Sequence, residues 1–380
     1  MDAMQILAVN AGSTSLKLER YVLAAPLTEL ADPPEPVRSA NVGPGDAEAA
    51  LAEFLRETPD AVAHRFVRLA DDAPPVLRLD GSSEKTIGGL GEDAPLHSAP
   101  ALRAVEAVAK LDPAVPQYAV GDSAFHRTIP PAAATYALPR ELTRAGLRRI
   151  GYHGLSHEYA AHRGCALAGL EVRSARVVTA HLGGGSSLCA VRGGASIDTT
   201  MGYTPLEGLP MATRSGSVDP GLLLHLLRGG MSHDDLEETL ERRSGLLGIS
   251  GRSGDVRELL AAADDPDARL ALDVLGWRLR AALGAMIGVL GGIDLIVFTG
   301  GVGEHAPSVR AAGIAGAAAA GAVLDDARNA SLTGEGSIAA AGSRVAICVV
   351  TAREGWQLAR KVYALSASRE RRSSSIAFAE

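Results

Sequence analysis

The chain has 380 residues, of which 47% are hydrophobic and only 4% aromatic, so its length suggests two or three domains with sizeable cores. The formal charge of −7, with no basic stripe, excludes nucleic acid as a natural partner. Three cysteines, Cys165, Cys189 and Cys348, are an odd count at spacings that fit neither a zinc site nor a disulfide framework, so they read as buried free thiols in a reducing compartment. The N-terminus lacks a basic segment followed by an apolar stretch, so no signal peptide is expected. The longest uncharged apolar run, Ala281–Ile293, is interrupted by glycines and too short to span a bilayer. A soluble cytoplasmic protein with no membrane partner is expected.

In chain order, Ile6–Val9 predicts a buried strand, and Asn10-Ala-Gly-Ser-Thr-Ser15 a turn. In a second strand Leu16, Leu18 and Tyr21 alternate with Lys17 and Glu19. Pro26–Gly45 reads as a loop. Ala47–Leu55 and Pro100–Lys110 carry helical periodicity, and a strand is expected to end at Ile150-Gly151-Tyr152. Val177–Ala180, the turn His181–Ser187 and Leu188–Val191 repeat the opening hairpin about 170 residues later. Gly183-Gly-Gly-Ser-Ser-Leu188 is similar to Ala11-Gly-Ser-Thr-Ser-Leu16, which suggests a duplicated α/β unit. Helices are expected at Asp234–Arg243, Ala268–Val289, Ala311–Ala322 and Gly355–Leu365. Asp294–Thr299 and Val345–Val350 read as strands, and the tail from Ser366 as frayed.

Several motifs carry candidate chemistry. The turn that holds Asn10, Ser13 and Ser15, with Lys17 just beyond, offers N–H groups and hydroxyls to a phosphate, or is an ordinary hairpin turn. Gly183, Gly184 and Gly185 leave no side chain between a backbone and a polyphosphate. No G-x-x-x-x-G-K-[ST] loop exists anywhere in the chain. Gly301-x-Gly303-x-x-Ala306, with Asp325 downstream, satisfies a loose dinucleotide fingerprint and keeps a nicotinamide enzyme open. His153, His157 and His162 miss the H-E-x-x-H spacing of a zinc protease by one residue; His153 is either a donor to developing negative charge or a hydrogen-bonded structural histidine. Met201–Pro220 is a long stretch that glycine and proline hold out of regular structure, with Arg214 inside it.

Taken together, these motifs resemble the acetate kinase family. The carrying segments are Asn10–Lys17, Asp122–His126, Tyr152–His157, His181–Gly185, Met201–Pro220, Ser253–Arg257 and Phe298–Ala306, in family order over nearly the whole chain. The resemblance implies two actin-like, ribonuclease-H-like domains with a duplicated core around an interdomain cleft. They would be 1–126, completed by the terminal helix 355–380, and 127–354, which binds nucleotide and dimerises. It implies transfer of the γ-phosphoryl group of ATP to a short carboxylate, acetate first and propionate or butyrate as alternatives, with ATP/ADP and Mg²⁺ as cofactors. A homodimer is implied as well.

Roles follow position by position from the resemblance. Arg65 and Arg214 would clamp the phosphoryl group and the carboxylate, His153 would stabilise the equatorial oxygens, and Asp122 would order Arg65 or the metal. His181 and Gly183–Gly185 would lie by the phosphates, and Asn10 and Glu354 would hold Mg²⁺. Asp255 and Arg257 would flank the adenine, and Gly301 and Gly303 would admit the nucleoside. Val67, Leu96, Tyr152 and Pro205 would form the alkyl pocket. An ionised carboxylate needs no general base; what it needs is positive charge to offset repulsion between two anions. The chain departs from the family pattern at Arg68, Tyr152, Gly184, His305 and Arg353, which keeps open a diverged nucleotide-binding paralogue.

Overall fold

The computed structural model describes residues 3–12, 15–24, 32–80, 95–262 and 264–377, without the side chains of 95–98 and 369–377. It divides into two compact units, Met1–Phe125 with Arg353–Glu380, and His126–Ala352. Each is built on one six-stranded sheet.

The first sheet contains β1 (Met4–Ala11), β2 (Leu16–Leu23), β3 (Arg38–Val42), β4 (Ala61–Phe66), β5 (Val76–Leu79) and β6 (Gln117–Gly121), in the order β3-β2-β1-β4-β6-β5. The second contains β7 (Arg176–Leu182), β8 (Ser186–Arg192), β9 (Ala195–Thr199), β10 (Leu295–Thr299), β11 (Gly336–Ser337) and β12 (Ala346–Val349), in the order β11-β12-β10-β7-β8-β9. Read from opposite ends, the two orders are the same. In each, an antiparallel meander of three strands leads into three parallel strands, β1-β4-β6 or β7-β10-β12, and a short antiparallel edge strand follows. The hairpin repeat in the sequence therefore marks a repeated topology, in which the turns β1–β2 and β7–β8 are equivalent.

The central strands are apolar along their whole length because both faces are covered. Ile6, Leu7, Ala8 and Val9 are 1% exposed or less, and Leu295–Phe298 are fully buried. In the first unit, Leu7, Val9, Leu51, Phe54, Val62, Ala104 and Val108 share one core; on β1, β2, β4 and β6 the terminal helix Glu354–Ala377 packs with Leu358, Ala359 and Val362. In the second, Leu275, Leu279 and Leu283 of the helix Pro266–Leu290 join Val178, Ile296 and Phe298, each side chain contributing about 1.5–3 kcal/mol. The helix Gly154–Ala168 lies against β10 so closely that a Cβ on Gly164 would meet Val297 Cγ2 at 2.5 Å.

Four expectations need correction. The stretch read as a loop, Pro26–Gly45, contains β3, which pairs with β2 at the sheet edge and so tolerates polar, exposed residues. No strand forms at Ile150–Tyr152; Gly151 has φ +79°, and the segment leads directly into the helix Gly154–Ala168. The alanine-rich stretch 311–322 is not one helix: an α-helix, Pro307–Ile314, gives way to a 3₁₀ segment, Ala315–Ala320, that ends on the left-handed Gly321. The terminal helix continues past Leu365 to Ala377. Glu19, which alternates with the apolar residues of β2, is 8% exposed and paired with Lys17 at 3.1 Å.

Candidate active site

The first unit supplies a buried arginine–aspartate pair and a carboxylate–amide pair. Arg65 lies near the end of β4 and Asp122 directly after β6, its parallel neighbour, so the two strands deliver both groups to one sheet edge. Arg65 Nη2 donates to Asp122 Oδ2 at 2.7 Å; the Arg65 side chain is 17% exposed and that of Asp122 is fully buried. Burial works against the guanidinium charge, but Asp122 and then Glu354 outweigh it, so the Arg65 pKa is raised and its charge is fixed. Asn10, at the end of β1, donates from Nδ2 to Glu354 Oε2 at 2.7 Å. Their two hard oxygen donors, the Asn10 amide oxygen and the Glu354 carboxylate, suit Mg²⁺, which keeps waters and is otherwise held by phosphates. Among the described residues no group of three or more His, Cys, Asp or Glu side chains could hold a metal by itself.

Beside Arg65 on β4, His64 is 1% exposed and its Nε2 lies 2.7 Å from Gln117 Oε1. Burial pushes its pKa down to about 4 from 6.5. Because the imidazole is kept neutral in the fold, its contribution to stability is fully present above pH 6.5, where the unfolded ring is neutral as well. That contribution is lost as the pH falls through about 4, up to about 3 kcal/mol in all. Urea midpoints between pH 7 and pH 4 should therefore fall, and His64→Leu should flatten the profile.

The second unit gathers four segments. His153 is the only non-glycine with positive φ among the described residues, at +56°, and it caps the helix Gly154–Ala168. A strained backbone of this kind is retained where the side chain must point in one direction. His153 stacks on His181, at the end of β7, with ring centroids 4.3 Å apart. The glycine turn approaches both: a Cβ on Gly185 would lie 3.2 Å from His153 Nε2 and 3.6 Å from Arg214 Nη1, and one on Gly183 would lie 4.0 Å from His181 Nε2. Gly184 has open space around it, and its carbonyl accepts a hydrogen bond from Ala212 of the Arg214 loop at 3.3 Å.

The Met201–Pro220 stretch is a loop, as its composition predicts, and it is ordered by polar clamps that the sequence does not announce. Arg149 donates to the carbonyls of Thr199, Thr200 and Met201 and to Glu207 Oε1. Tyr136 donates to Glu207 Oε2 and accepts from Tyr203 N. Tyr152, 7% exposed, donates its hydroxyl to Tyr203 O at 2.6 Å, so the tyrosine oxygen is spent on the loop backbone. Arg214 itself donates to Pro205 O at 3.3 Å, and its side chain is 27% exposed. These tie Tyr152, Pro205 and Arg214 to one locus.

The remaining expected residues distribute as follows. Gly254 approaches Ala212 so closely that a Cβ would meet its carbonyl at 2.4 Å. Next to it, Asp255 caps the helix Val256–Ala261 and binds Arg257 at 2.6 Å, which lowers the Asp255 pKa to about 2. Gly301 is exposed and Gly303 buried at the strand-to-helix turn after β10; Gly300, in the same motif but not among the expected contact residues, has φ +78° and packs on Leu182 O. Asp325 caps the helix Asp326–Ser331, a structural duty. Val67 belongs to the first unit, its carbonyl bound by Ser123 N, whereas Tyr152 and Pro205 belong to the second. Lys17 is paired with Glu19, and Ser15 O closes the β1–β2 turn onto Gly12 N. Ser13 and the Leu96 side chain lie outside the described residues.

A family model described as the acetokinase family matches residues 49–360. An acetate kinase of Gloeobacter violaceus is 40% identical, over 95% of this chain and 99% of that protein. One from Rhodopseudomonas palustris is 48% identical, over 72% of this chain and 69% of that protein. Among solved structures, an acetate kinase of Porphyromonas gingivalis superposes with a TM-score of 0.83 at 31% identity, covering 94% of this chain and 98% of that one. A propionate kinase of Francisella tularensis gives 0.82 at 31% identity with the same coverage. The two sheets are thus the cores of two actin-like domains, and the chain belongs to the acetokinase family.

Proposed function

We propose that this protein is an ATP-dependent carboxylate kinase that phosphorylates acetate, with propionate as the second candidate. The observation that carries the reading is the convergence of His153 Nε2 and Arg214 Nη1 on the bare backbone of Gly185, a locus with a guanidinium at hand and no side chain in the way. A carboxylate oxygen attacks the γ-phosphorus in line as the bond to the β–γ bridging oxygen breaks; the products are an acyl phosphate and ADP. Nothing needs deprotonation, because the nucleophile is already an anion.

The chain's work is therefore electrostatic and geometric. Arg65, held ionised by Asp122, and Arg214 neutralise the transferring group and orient the acid. His153 donates to an equatorial oxygen. His181 and the turn Gly183–Gly185 face the phosphates, and the β1–β2 turn with Lys17 contributes to the same nucleotide. Asp255, Arg257, Gly301 and Gly303 border the nucleoside, and Val67, Tyr152 and Pro205 limit the acid's alkyl end. Asn10 and Glu354 hold Mg²⁺, which offsets phosphate charge when bound. The test is ADP release from Mg-ATP with acetate, propionate, butyrate or no acid. Acid-dependent release supports the reading; equal release with and without acid refutes it.

Two further parts of the proposal concern assembly and location. The helix Pro220–Arg228 has no buried residue, and Leu222, Leu224 and Leu227 are 47%, 52% and 39% exposed. Such an apolar helix suits burial against a second copy of the chain, as the family resemblance implies. Leu224→Glu should halve the mass seen by light scattering, while the wild type runs as a dimer. No helix among the described residues is long and apolar enough to cross a membrane, and three buried free cysteines suit the reducing cytoplasm.

A further inference from the structure

Behind His153 lies a chain of buried hydrogen-bonding groups that the phosphoryl-transfer chemistry does not itself require. His157 sits one helical turn along, fully buried, with its N–H bonded to His153 O at 2.8 Å. Its Nδ1 lies 2.7 Å from Thr179 Oγ1 on β7, and its Nε2 lies 2.8 Å from Ser187 Oγ on β8. The same Ser187 oxygen lies 2.9 Å from His153 Nδ1. Thr179 and Ser187 are both fully buried.

Proton counting restricts what this chain can be. Burial, with His126 and His181 nearby, pushes the His157 pKa well down, so its ring is neutral and carries one N–H. Ser187 has one hydroxyl proton and stands between two ring nitrogens, so it donates to one and accepts from the other. With His153 neutral, its tautomer and that of His157 are therefore locked together, and two arrangements satisfy every contact. In the forward one, Thr179 donates to His157 Nδ1, His157 donates from Nε2 to Ser187, and Ser187 donates to His153 Nδ1. The His153 proton then sits on Nε2, toward Gly185 and Arg214. In the reverse one every donor is inverted, a lone pair faces Arg214, and the Thr179 hydroxyl is left with Cys189 O at 3.5 Å, beyond a good O–H···O distance.

We propose that Thr179, His157 and Ser187 form a positioning relay in the forward arrangement, which holds the His153 proton on Nε2 before any substrate arrives. The long Thr179–Cys189 contact selects this direction, because the reverse one leaves the Thr179 hydroxyl without a well-placed acceptor. His126 provides the contrast. Its Nε2 faces Tyr152 O at 2.9 Å and must carry the proton, so its tautomer is dictated by a carbonyl and needs no relay. His153 Nδ1 faces the Ser187 hydroxyl instead, so its tautomer is set through Ser187. In this view Ser187, His157 and Thr179 touch no substrate and act only through His153.

The inference rests on the kinase reading for its purpose but not for its test. Ring nitrogens of ¹⁵N-histidine-labelled full-length protein, assigned with His153→Gln and His157→Gln, report each tautomer without substrate. The expected wild-type spectrum shows His153 with a protonated Nε2 and a pyridine-type Nδ1. In Ser187→Ala the two His153 nitrogens should average toward each other. Both Ser187→Ala and the near-isosteric Thr179→Val should lower kcat roughly 10- to 100-fold, with both KM values changed less than about twofold. A wild-type His153 protonated on Nδ1 overturns the proposal, as does Ser187→Ala with an unchanged tautomer and kcat. If no acid is turned over at all, the wild-type tautomer still decides the relay, while the kinase reading fails on its own assay.

Discussion

Arg214→Ala should lower acid-dependent ADP release on the order of 10³-fold or more, the largest catalytic effect expected of a single substitution here. The guanidinium is placed by Pro205 O and by a loop whose backbone is fixed at Ala212, Tyr203 and Met201. Removing it leaves that loop intact, because the clamps of Arg149, Tyr136 and Glu207 do not involve it. The loss should therefore appear in kcat and in KM for the acid, while affinity for ADP changes little and the thermal midpoint stays within a degree or two. Arg214→Lys should recover only a part, since an ammonium cannot reproduce a planar fork. A variant that kept more than about a tenth of wild-type turnover would remove Arg214 from the clamp.

The largest stability effect is expected at Asp122. Its carboxylate is fully buried and balances Arg65, whose side chain is 17% exposed. Asp122→Ala strands the guanidinium charge in a site built for a pair, and such losses cost about 3–5 kcal/mol. Arg65 should also lose its orientation, so activity falls with stability. Replacing both members, Arg65→Met with Asp122→Leu, should recover most of the stability and none of the activity, which separates the two roles. Trp356 is buried in the first unit and Trp277 is 67% exposed in the second. In a Trp277→Phe background, Trp356 fluorescence during urea unfolding reports the unit that holds the pair.

What the sequence made legible follows from locality. The two glycine turns and the irregular Arg214 stretch are runs of adjacent residues whose composition already restricts the backbone, so duplication and a long irregular loop could be read directly. Strand β4, which carries Arg65, was not readable. Ala61-Val-Ala-His-Arg-Phe66 puts two charged or polar residues mid-strand, and only burial on both faces and the parallel neighbours β1 and β6 make it regular. β3 was hidden within a proline-rich segment because an edge strand has no apolar pattern to show. The strand expected at Ile150–Tyr152 failed because Gly151 takes a left-handed φ; the next residue but one, His153, does the same without being glycine. The clamps Arg149–Glu207 and Tyr152–Tyr203 and the pair Asn10–Glu354 join residues 51 to 344 positions apart. Such contacts have no local signature.

The place of the terminal helix has a consequence for synthesis. Residues 126–352 form a contiguous unit, whereas the first unit is closed only by the helix that begins at Glu354. As the chain leaves the ribosome, the N-terminal sheet must wait with the face that Leu358, Ala359 and Val362 will cover still open, while the whole of the second unit emerges and folds. A nascent chain stalled anywhere before residue 354 thus lacks both its lid and the carboxylate partner of Asn10. Incomplete chains should be aggregation-prone and catalytically silent, so that closure of the first unit and formation of the Asn10–Glu354 pair are one late event.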